Sequence, residues 1–401
     1  MIYLGIHAGH NASASLMKDG KIIFAFQEER FTNLKNFYGY PSRSIAYCLN
    51  YIKSNNLIID IAAIATIKDN LFFAKYRFNN LFSISDFHKF YSISLNQNKA
   101  ISFAKKHNKF KKIKDFYLPY SKIKKKDYFN IKFRRRLLVE QLSKQGKQHI
   151  KKIIFLDHHT CHAYYSYFSS KKRKHQSCVV SVDSYGDGAN QTVWIVKKDK
   201  LKLVAKTDQC EIARIYKFIT LILNMKPEEH EFKVMGLSAY SKKKYILDVY
   251  EKVFKKIQKF EGIKIVHNKR PKDLYTYLKE STQDFRFDNI AGGLQYFVEK
   301  LMKELLIRIN KKYKVKNFYF TGGVSMNVKM YNHLGKLKFV RYLYSPPSGS
   351  DESLSIGACY YLSQNVKSFP LDNIYLGKNL VNDEEKINLE FIKKKFSKKI
   401  M

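Results

Sequence analysis

Cysteine, tryptophan and acidic residues are all scarce in this chain. The five cysteines (Cys48, Cys161, Cys178, Cys210, Cys359) are scattered and form no C-x-x-C pair. That pattern excludes a disulfide framework and a zinc ribbon and fits a reducing cytoplasm. No uninterrupted apolar run approaches the length needed to cross a bilayer. The opening Met1-Ile2-Tyr3-Leu4-Gly5-Ile6 has no basic region, no long apolar core and no small-residue cleavage site, so it reads as a first strand and not as a signal peptide. Residues from about 70 to 150 lack turn-glycine clusters, which sets them apart from the strand-and-turn texture on either side.

What is abundant is positive charge. Lys and Arg number 74 against 34 Asp and Glu, a formal net charge of +40. Such a balance suits tRNA, an anionic glycan or lipid-linked substrate, or a membrane surface as partner. It equally suits an A+T-rich genome that loads its proteins with Lys, Ile, Asn, Phe and Tyr. A hydrophobic content of 45% in 401 residues describes a soluble globular protein too long for one core, so two lobes are expected.

Ile2 to His10 reads as an extended apolar segment, with a second strand from Asn11 to Leu16. Asp19-Gly20 forms a tight turn and Lys21 to Phe26 returns as a third strand. Pro41 to Tyr51 has helical spacing. The 70–150 segment is basic and aromatic (Phe72-Phe73, Lys124 to Lys126, Arg134-Arg135-Arg136) and is expected to be a helical insertion. Strands resume at Ile153 to Leu156, at Cys178 to Val182 paired with Gln191 to Val196, and at Phe318 to Phe320. A helix is expected over 290–312 and another from Cys359 to Leu362.

Two strand-ending loops of small and polar residues, Gly5 to Ala12 and Asp183 to Gly188, could present backbone N–H groups to phosphate. A Gly322-Gly323 turn leading into a helix would add a positive dipole end. Either loop alone is compatible with a plain turn. Together they describe a cleft that grips a nucleotide from both sides, with Asn11, Asp183, Gly186, Asp187, Gly188, Gly322, Gly323 and Asn327 as its candidate lining.

In Asp157-His158-His159-Thr160-Cys161-His162, a helix starting near His158 would put His158 and His162 one turn apart on one face, close enough to share a metal ion. His159 would point about 100° away, toward a supporting position or solvent. Spacing alone leaves ordinary core or surface histidines open. Asp351, in Ser348-Gly349-Ser350-Asp351-Glu352, offers the missing carboxylate. Two histidines and one carboxylate with open positions suit Fe(II) or another divalent transition metal, and Mg(II) remains an alternative.

The chain resembles the N-terminal part of the carbamoyltransferase family typified by nodulation protein U and antibiotic O-carbamoyltransferases. The resemblance rests on Gly5-Ile6 with His10-Asn11-Ala12-Ser13-Ala14, on Gln27-Glu28-Glu29-Arg30-Phe31 with Lys35, and on His158 to Ala163. It continues through Val182 to Gly188, Glu231 to Leu237, Gly322-Gly323-Val324-Ser325-Met326-Asn327, and Asp351 before Gly357-Ala358. It implies an α/β, two-lobed, actin-like (ASKHA) ATPase fold with duplicated ribonuclease-H-like lobes, similar to that of tRNA threonylcarbamoyl transferases. Lobe I would span 1–175 with the 70–150 insertion, lobe II 176–375, and 376–401 would be a tail or the start of a missing C-terminal domain.

By the same resemblance His158, His162 and Asp351 hold the metal, and Gly322, Gly323 and Asn327 line the nucleotide. His10 stands beside the transferred carbamoyl group, where an imidazole suits deprotonating a hydroxyl. Glu231 and Lys233 orient the acceptor or phosphates, or brace the lobes as an ion pair. The implied reaction moves a carbamoyl group from carbamoyl-adenylate, made from ATP and carbamoyl phosphate, to a sugar or nucleotide-sugar hydroxyl. A YrdC-like domain makes the adenylate in full-length members. The chain stops at Met401, shortly past Tyr375-Leu376-Gly377, so the expectation is that either a separate YrdC-like protein supplies the adenylate or the gene is truncated. A tRNA-modifying enzyme and a non-catalytic nucleotide-binding homologue are the competing readings. Asn11 for Asp, Phe232 for Gly, Tyr331 for Asn and Ser353 for Gly depart from the family pattern and point to a divergent acceptor pocket or to some relaxation of function.

Overall fold

The computed structural model describes residues 1–69, 82–106, 124–127, 130–364 and 368–377. Within them the chain forms two five-stranded mixed sheets. The first comprises β1 (Ile2–His7), β2 (Ser13–Lys18), β3 (Lys21–Gln27), β4 (Ile59–Ala65) and β5 (Ile150–Leu156), in the order β3-β2-β1-β4-β5. The second comprises β6 (Ser177–Gly186), β7 (Ala189–Lys197), β8 (Lys200–Thr207), β11 (Asn317–Thr321) and β12 (Tyr342–Tyr344), in the order β12-β11-β6-β7-β8. A small hairpin, β9 (Gln258–Glu261) with β10 (Lys264–His267), stands apart. Each large sheet is an antiparallel three-strand meander whose first strand pairs in parallel with a later one, β1 with β4 and β6 with β11. The same order and pairing occur twice, which is the duplicated actin-like plan expected from the sequence.

Strand alternation makes each sheet two-faced. Leu4, Ile6, Ala14 and Leu16 face a core built with the helices Ser42–Ser54 and Ile131–Gly146. In the second sheet Cys178, Val180, Val182 and Val193 face the amphipathic helix Ile212–Ile222 and the long helix Phe287–Tyr313. The opposite faces meet in a shared layer where Tyr3 and Met17 of the first sheet pack with Val179, Val196 and Tyr319 of the second.

Two helices fill that layer, and they are exchanged. The helix His158–Phe168 follows β5 of the first sheet but lies on β6 and β11 of the second, where Ser166 Oγ donates to Phe320 O at 2.8 Å. The helix Leu354–Leu362 follows β12 of the second sheet but lies on β1, β2 and β4 of the first, with Ser355 Oγ 2.9 Å from Ser13 Oγ and 2.7 Å from Ser15 Oγ. Two glycines allow this closeness. A Cβ on Gly5 would stand 1.9 Å from Ser355 O, and one on Gly357 would stand 1.9 Å from Cys161 O.

Several boundaries differ from the sequence expectation. The last helix begins at Leu354, so Gly357 and Ala358 lie inside it. Gly322-Gly323 leads into a short 3-10 turn, Gly323–Met326, and the seven-residue helix Val328–Leu334 follows it, so the expected helix starts five residues beyond Gly323 and not at the turn itself. The insertion between β4 and β5 is helical where described, with helices Ile84–Ile93, Gln97–Lys106 and Ile131–Gly146. Its residues 70–81, 107–123 and 128–129, including Phe72, Phe73 and Lys111, lie outside the described residues, as does the tail beyond residue 377.

Candidate functional site

The carboxyl ends of β1, β4 and β5 face those of β6 and β11 across a cleft of about 610 Å³, lined from both halves. At its floor stands His158, with the fully buried His162 behind it. Asp157 caps their helix, its Oδ1 accepting from Thr160 N at 2.9 Å. The cap starts the helix at His158 and fixes the four-residue spacing on one face, and the two imidazole centroids are 4.7 Å apart.

Asp351 comes from the turn before the exchanged helix, and its Oδ1 lies 3.6 Å from His158 Nε2 and 3.4 Å from His162 Nε2. Asp183, near the end of β6, completes the group. Its Oδ2 is 3.2 Å from His158 Nε2 and 3.5 Å from His162 Nε2. One ligand atom from each of the four lies within 4.8 Å of the others. Ligands about 2.1 Å from a shared ion sit roughly 3–4.2 Å from one another, so the cluster needs only slight contraction to hold one. Among the described residues, the buried His162 Nε2 and Asp351 Oδ1 find no hydrogen-bond partner, an orphaned pair that a cation would satisfy. The outer atoms are held from behind, His162 Nδ1 lying 3.2 Å from Thr321 Oγ1 and His158 Nδ1 3.5 Å from Thr66 Oγ1. Such contacts keep the Nε2 lone pairs turned inward. The donor set, two imidazoles and two carboxylates, fits a divalent transition metal.

Electrostatics carry the same signature. Burial disfavours charge on His158, but Asp351, Asp183 and Asp187 outweigh it and raise the imidazole to about 9. His162 is raised as well, burial being overcome by Asp183 and Asp351. Asp183 is held well below the usual carboxylate range because His158 and His162 overcome its burial. Protons thus occupy the place that a cation would take.

The remaining sequence candidates have varied surroundings. His10 lines the cleft, with Nε2 3.4 Å from Glu228 Oε2 and Nδ1 4.0 Å from Asp351 Oδ2. Asn11, in a left-handed conformation with φ 53°, donates to Glu352 Oε2 at 3.2 Å. Asp187 braces the cleft from within: its carboxylate accepts from His158 N at 2.7 Å and from Ile67 N at 2.8 Å. Asp187 (φ 50°) and Gly188 (φ 79°) make the tight β6–β7 turn. Gly186 is required by the four-residue cluster itself, since a Cβ there would come within 2.3 Å of the His158 ring.

Gly322 N donates to Gly349 O at 2.8 Å and Gly323 N to Asp183 Oδ1 at 3.2 Å, so both amides are engaged within the protein. Asn327 pairs with Gln295 through bonds of 2.9 and 3.0 Å while its own backbone turns into the short helix. Glu231 lines the cleft, is pushed up to about 7 mainly by burial, and accepts from Glu228 N at 2.7 Å. Lys233 is exposed, 5.9 Å from the centre of the Phe232 ring, and is not part of the cleft wall. His159 does not reach solvent. It is fully buried, its ring nitrogens 3.1 Å from Ser181 Oγ and from Ala189 O.

Three contributors escaped the sequence reading. His7 was absorbed into a strand, yet its Nε2 lies 2.8 Å from His10 O and its ring stands beside His158; burial depresses it to about 3. Glu228 reaches the cleft from a left-handed conformation, φ 67°, which no composition signal marks. Arg134, buried in the insertion, donates to Thr66 O and Ala8 O at 3.0 Å each and so ties the insertion to the His7–His10 loop. An arginine triplet in a basic stretch gives no hint of which member turns inward.

The model of the carbamoyltransferase N-terminus matches residues 2–360. Among curated relatives, an uncharacterised protein of Methanocaldococcus jannaschii, MJ1051, is 26% identical over 98% of this chain and 63% of its own length. Nodulation protein NolNO of Sinorhizobium fredii is 22% identical over 93% of this chain and 50% of its own. The chain thus spans less than two thirds of the length of these relatives. Among solved structures, full-length HypF in its phosphate- and nucleotide-bound form aligns with a TM-score of 0.45 and 11% identity, over 94% of this chain and 56% of that one. Since one family model runs from the first strand to the exchanged final helix, the chain belongs to the carbamoyltransferase family through that family's N-terminal domain.

Proposed function

We propose that the chain carries the transfer half of an O-carbamoyltransferase, moving a carbamoyl group from carbamoyl-adenylate to a hydroxyl of a sugar-type acceptor. The observation that carries this reading is the position of His10 above the His158–His162–Asp183–Asp351 cluster in a chain of this family. Glu228 beside Nε2 favours the tautomer protonated there, which leaves Nδ1 as a base facing the cluster. His10 Nδ1 takes the acceptor's hydroxyl proton as its oxygen bonds to the carbamoyl carbon. The bond from that carbon to the phosphate oxygen breaks, and AMP leaves with the electron pair. His158, His162, Asp183 and Asp351 would hold a divalent transition metal, Fe(II) among the candidates, which would supply Lewis-acid stabilisation for phosphate. Glu231 fixes the Glu228 backbone and so the orientation of the His10–Glu228 pair.

The reaction is tested by mixing the protein with ATP, carbamoyl phosphate, ferrous iron, a YrdC-like protein from the same cell and candidate sugar acceptors. Acceptor-dependent AMP release should fall at least 100-fold in His10→Asn, in the range that one general base contributes. Release that survives the substitution removes His10 from the mechanism.

A further inference from the structure

The charge on this protein is unevenly distributed. Far from the cleft, at the opposite ends of the same strands, one edge of the second sheet gathers four segments: 171–176, 197–200, 311–317 and 335–341. Strand register brings them into one row, since Tyr342 pairs with Asn317, Asn317 with Ser177, Ser177 with Val196, and Lys197 with Lys200 across the β7–β8 turn. The four segments hold fourteen Lys and Arg but one acidic residue, Asp199, which accepts from Tyr167 Oη at 2.5 Å.

Ordinary structural roles explain only some of these cations. Arg173 donates to Ser368 O at 2.9 Å, and Lys311 and Lys312 complement the carboxyl end of the helix Phe287–Tyr313. Lys172, Lys174, Lys198, Lys200, Lys316 and Arg341 are exposed, and none forms an ion pair with another described residue. Elsewhere some cations are paired, as in Lys217 with Glu228, Lys226 with Glu229 and Arg308 with Glu304, and what marks this edge is the number that gather in one row. A genome-wide drift toward lysine would raise the charge of every surface alike and would not gather fourteen of the 74 cations into these four short segments.

We propose that this edge binds the phosphodiester backbone of a nucleic acid. Five strands about 4.8 Å apart make a row roughly 20 Å long, and a duplex carries one phosphate charge per about 1.7 Å of its axis. Several lysines can therefore meet phosphates at once. None of the large exposed hydrophobic residues lies in the four segments, so the edge lacks the apolar side chains that anchor a protein in a bilayer interface. β6 runs about 30 Å from this edge to the cleft, so the phosphates held at the edge are not the groups that meet His10. The inference does not depend on the carbamoyl reading.

The test uses the full chain and fluorescently labelled 24-base-pair RNA and DNA duplexes, with anisotropy read between 50 and 300 mM salt. Saturable binding is expected, with log affinity falling by about 0.9 per phosphate contact for each unit of log salt. The variant Lys172→Glu/Lys198→Glu/Lys316→Glu/Arg341→Glu should bind at least 30-fold more weakly with a flatter salt slope. A control of equal net charge, Lys53→Glu/Lys89→Glu/Lys279→Glu/Lys303→Glu, should stay within threefold of the parent. All eight side chains are exposed, and a thermal melt verifies folding. A Gln version of the edge variant repeats the comparison without reversing charge. A preference for RNA or for DNA identifies which backbone is bound. Equal weakening by edge and control sets overturns the proposal. So does binding to vesicles containing phosphatidylserine that exceeds binding to either duplex.

Discussion

The two sheets share one strand order but send different chemistry into the cleft. From the first come imidazoles: His7 at the end of β1, His10 in the loop that follows, and His158 and His162 after β5. From the second come the carboxylates that face them, Asp183 and Asp187 around the β6–β7 turn and Asp351 after β12. The connecting loops differ to match. The second sheet joins β6 to β7 by the two-residue turn Asp187-Gly188, and the first uses the longer stretch from Ala8 to Ala12 between β1 and β2. Among the described residues, neither half alone gathers such a ligand group. The duplicated architecture brings half of the candidate ligand set from each side, and the cluster forms only where they meet.

Removing one imidazole should break this division most severely. His162→Ala is expected to abolish stoichiometric Fe(II) or Co(II) binding, a loss of at least 100-fold measured by anaerobic calorimetry. Asp351→Asn should do the same from the other half, and a variant that still binds tightly would show the cluster is not the cation site. Gly186→Ala comes next. A Cβ driven into the His158 ring should destabilise the fold by about 1–3 kcal/mol and weaken metal binding more than tenfold, read from melts with and without cobalt. Thr321→Val should have a smaller effect, about tenfold in affinity, because it removes only the group behind His162 Nδ1. Unchanged affinity would mean that packing alone orients the ring.

The smallest effect is a pH trend with opposite signs for the metal-free and metal-bound proteins. The folded pKa of His158, about 9, is above the ordinary value of 6.5. Its contribution to metal-free stability is therefore full below about pH 6.5 and is lost as pH rises toward 9. Metal must displace the same proton, so affinity should climb over that window. Melting temperature and metal titration between pH 6 and 9 should move in opposite directions, and parallel trends would contradict the assignment.

How much of this was legible in the sequence depends on how local each feature is. The His158–His162 pair was readable because a helical period and an Asp157 cap are local facts. Asp183 was read as a nucleotide residue, because its closeness to those histidines depends on how the second sheet docks against the first. His7 shared the alternation of its strand and left no separate trace. The repeated sheet order was foreshadowed by two hairpin-and-loop segments at 3–26 and 179–196. The exchange of helices was not, since nothing within residues 158–168 says which sheet they will cover.

That exchange bears on how the protein can come into being. A fragment ending near residue 175 would carry the helix that belongs on the other half's sheet while leaving its own sheet bare where Leu354–Leu362 should lie. The first sheet is therefore not finished until the last described helix has been synthesised. On a ribosome, the histidine-bearing half must wait, with the backbone contacts at Gly5 and Gly357 among the last to close. The two halves look like domains in outline, yet they mature as one cooperative unit.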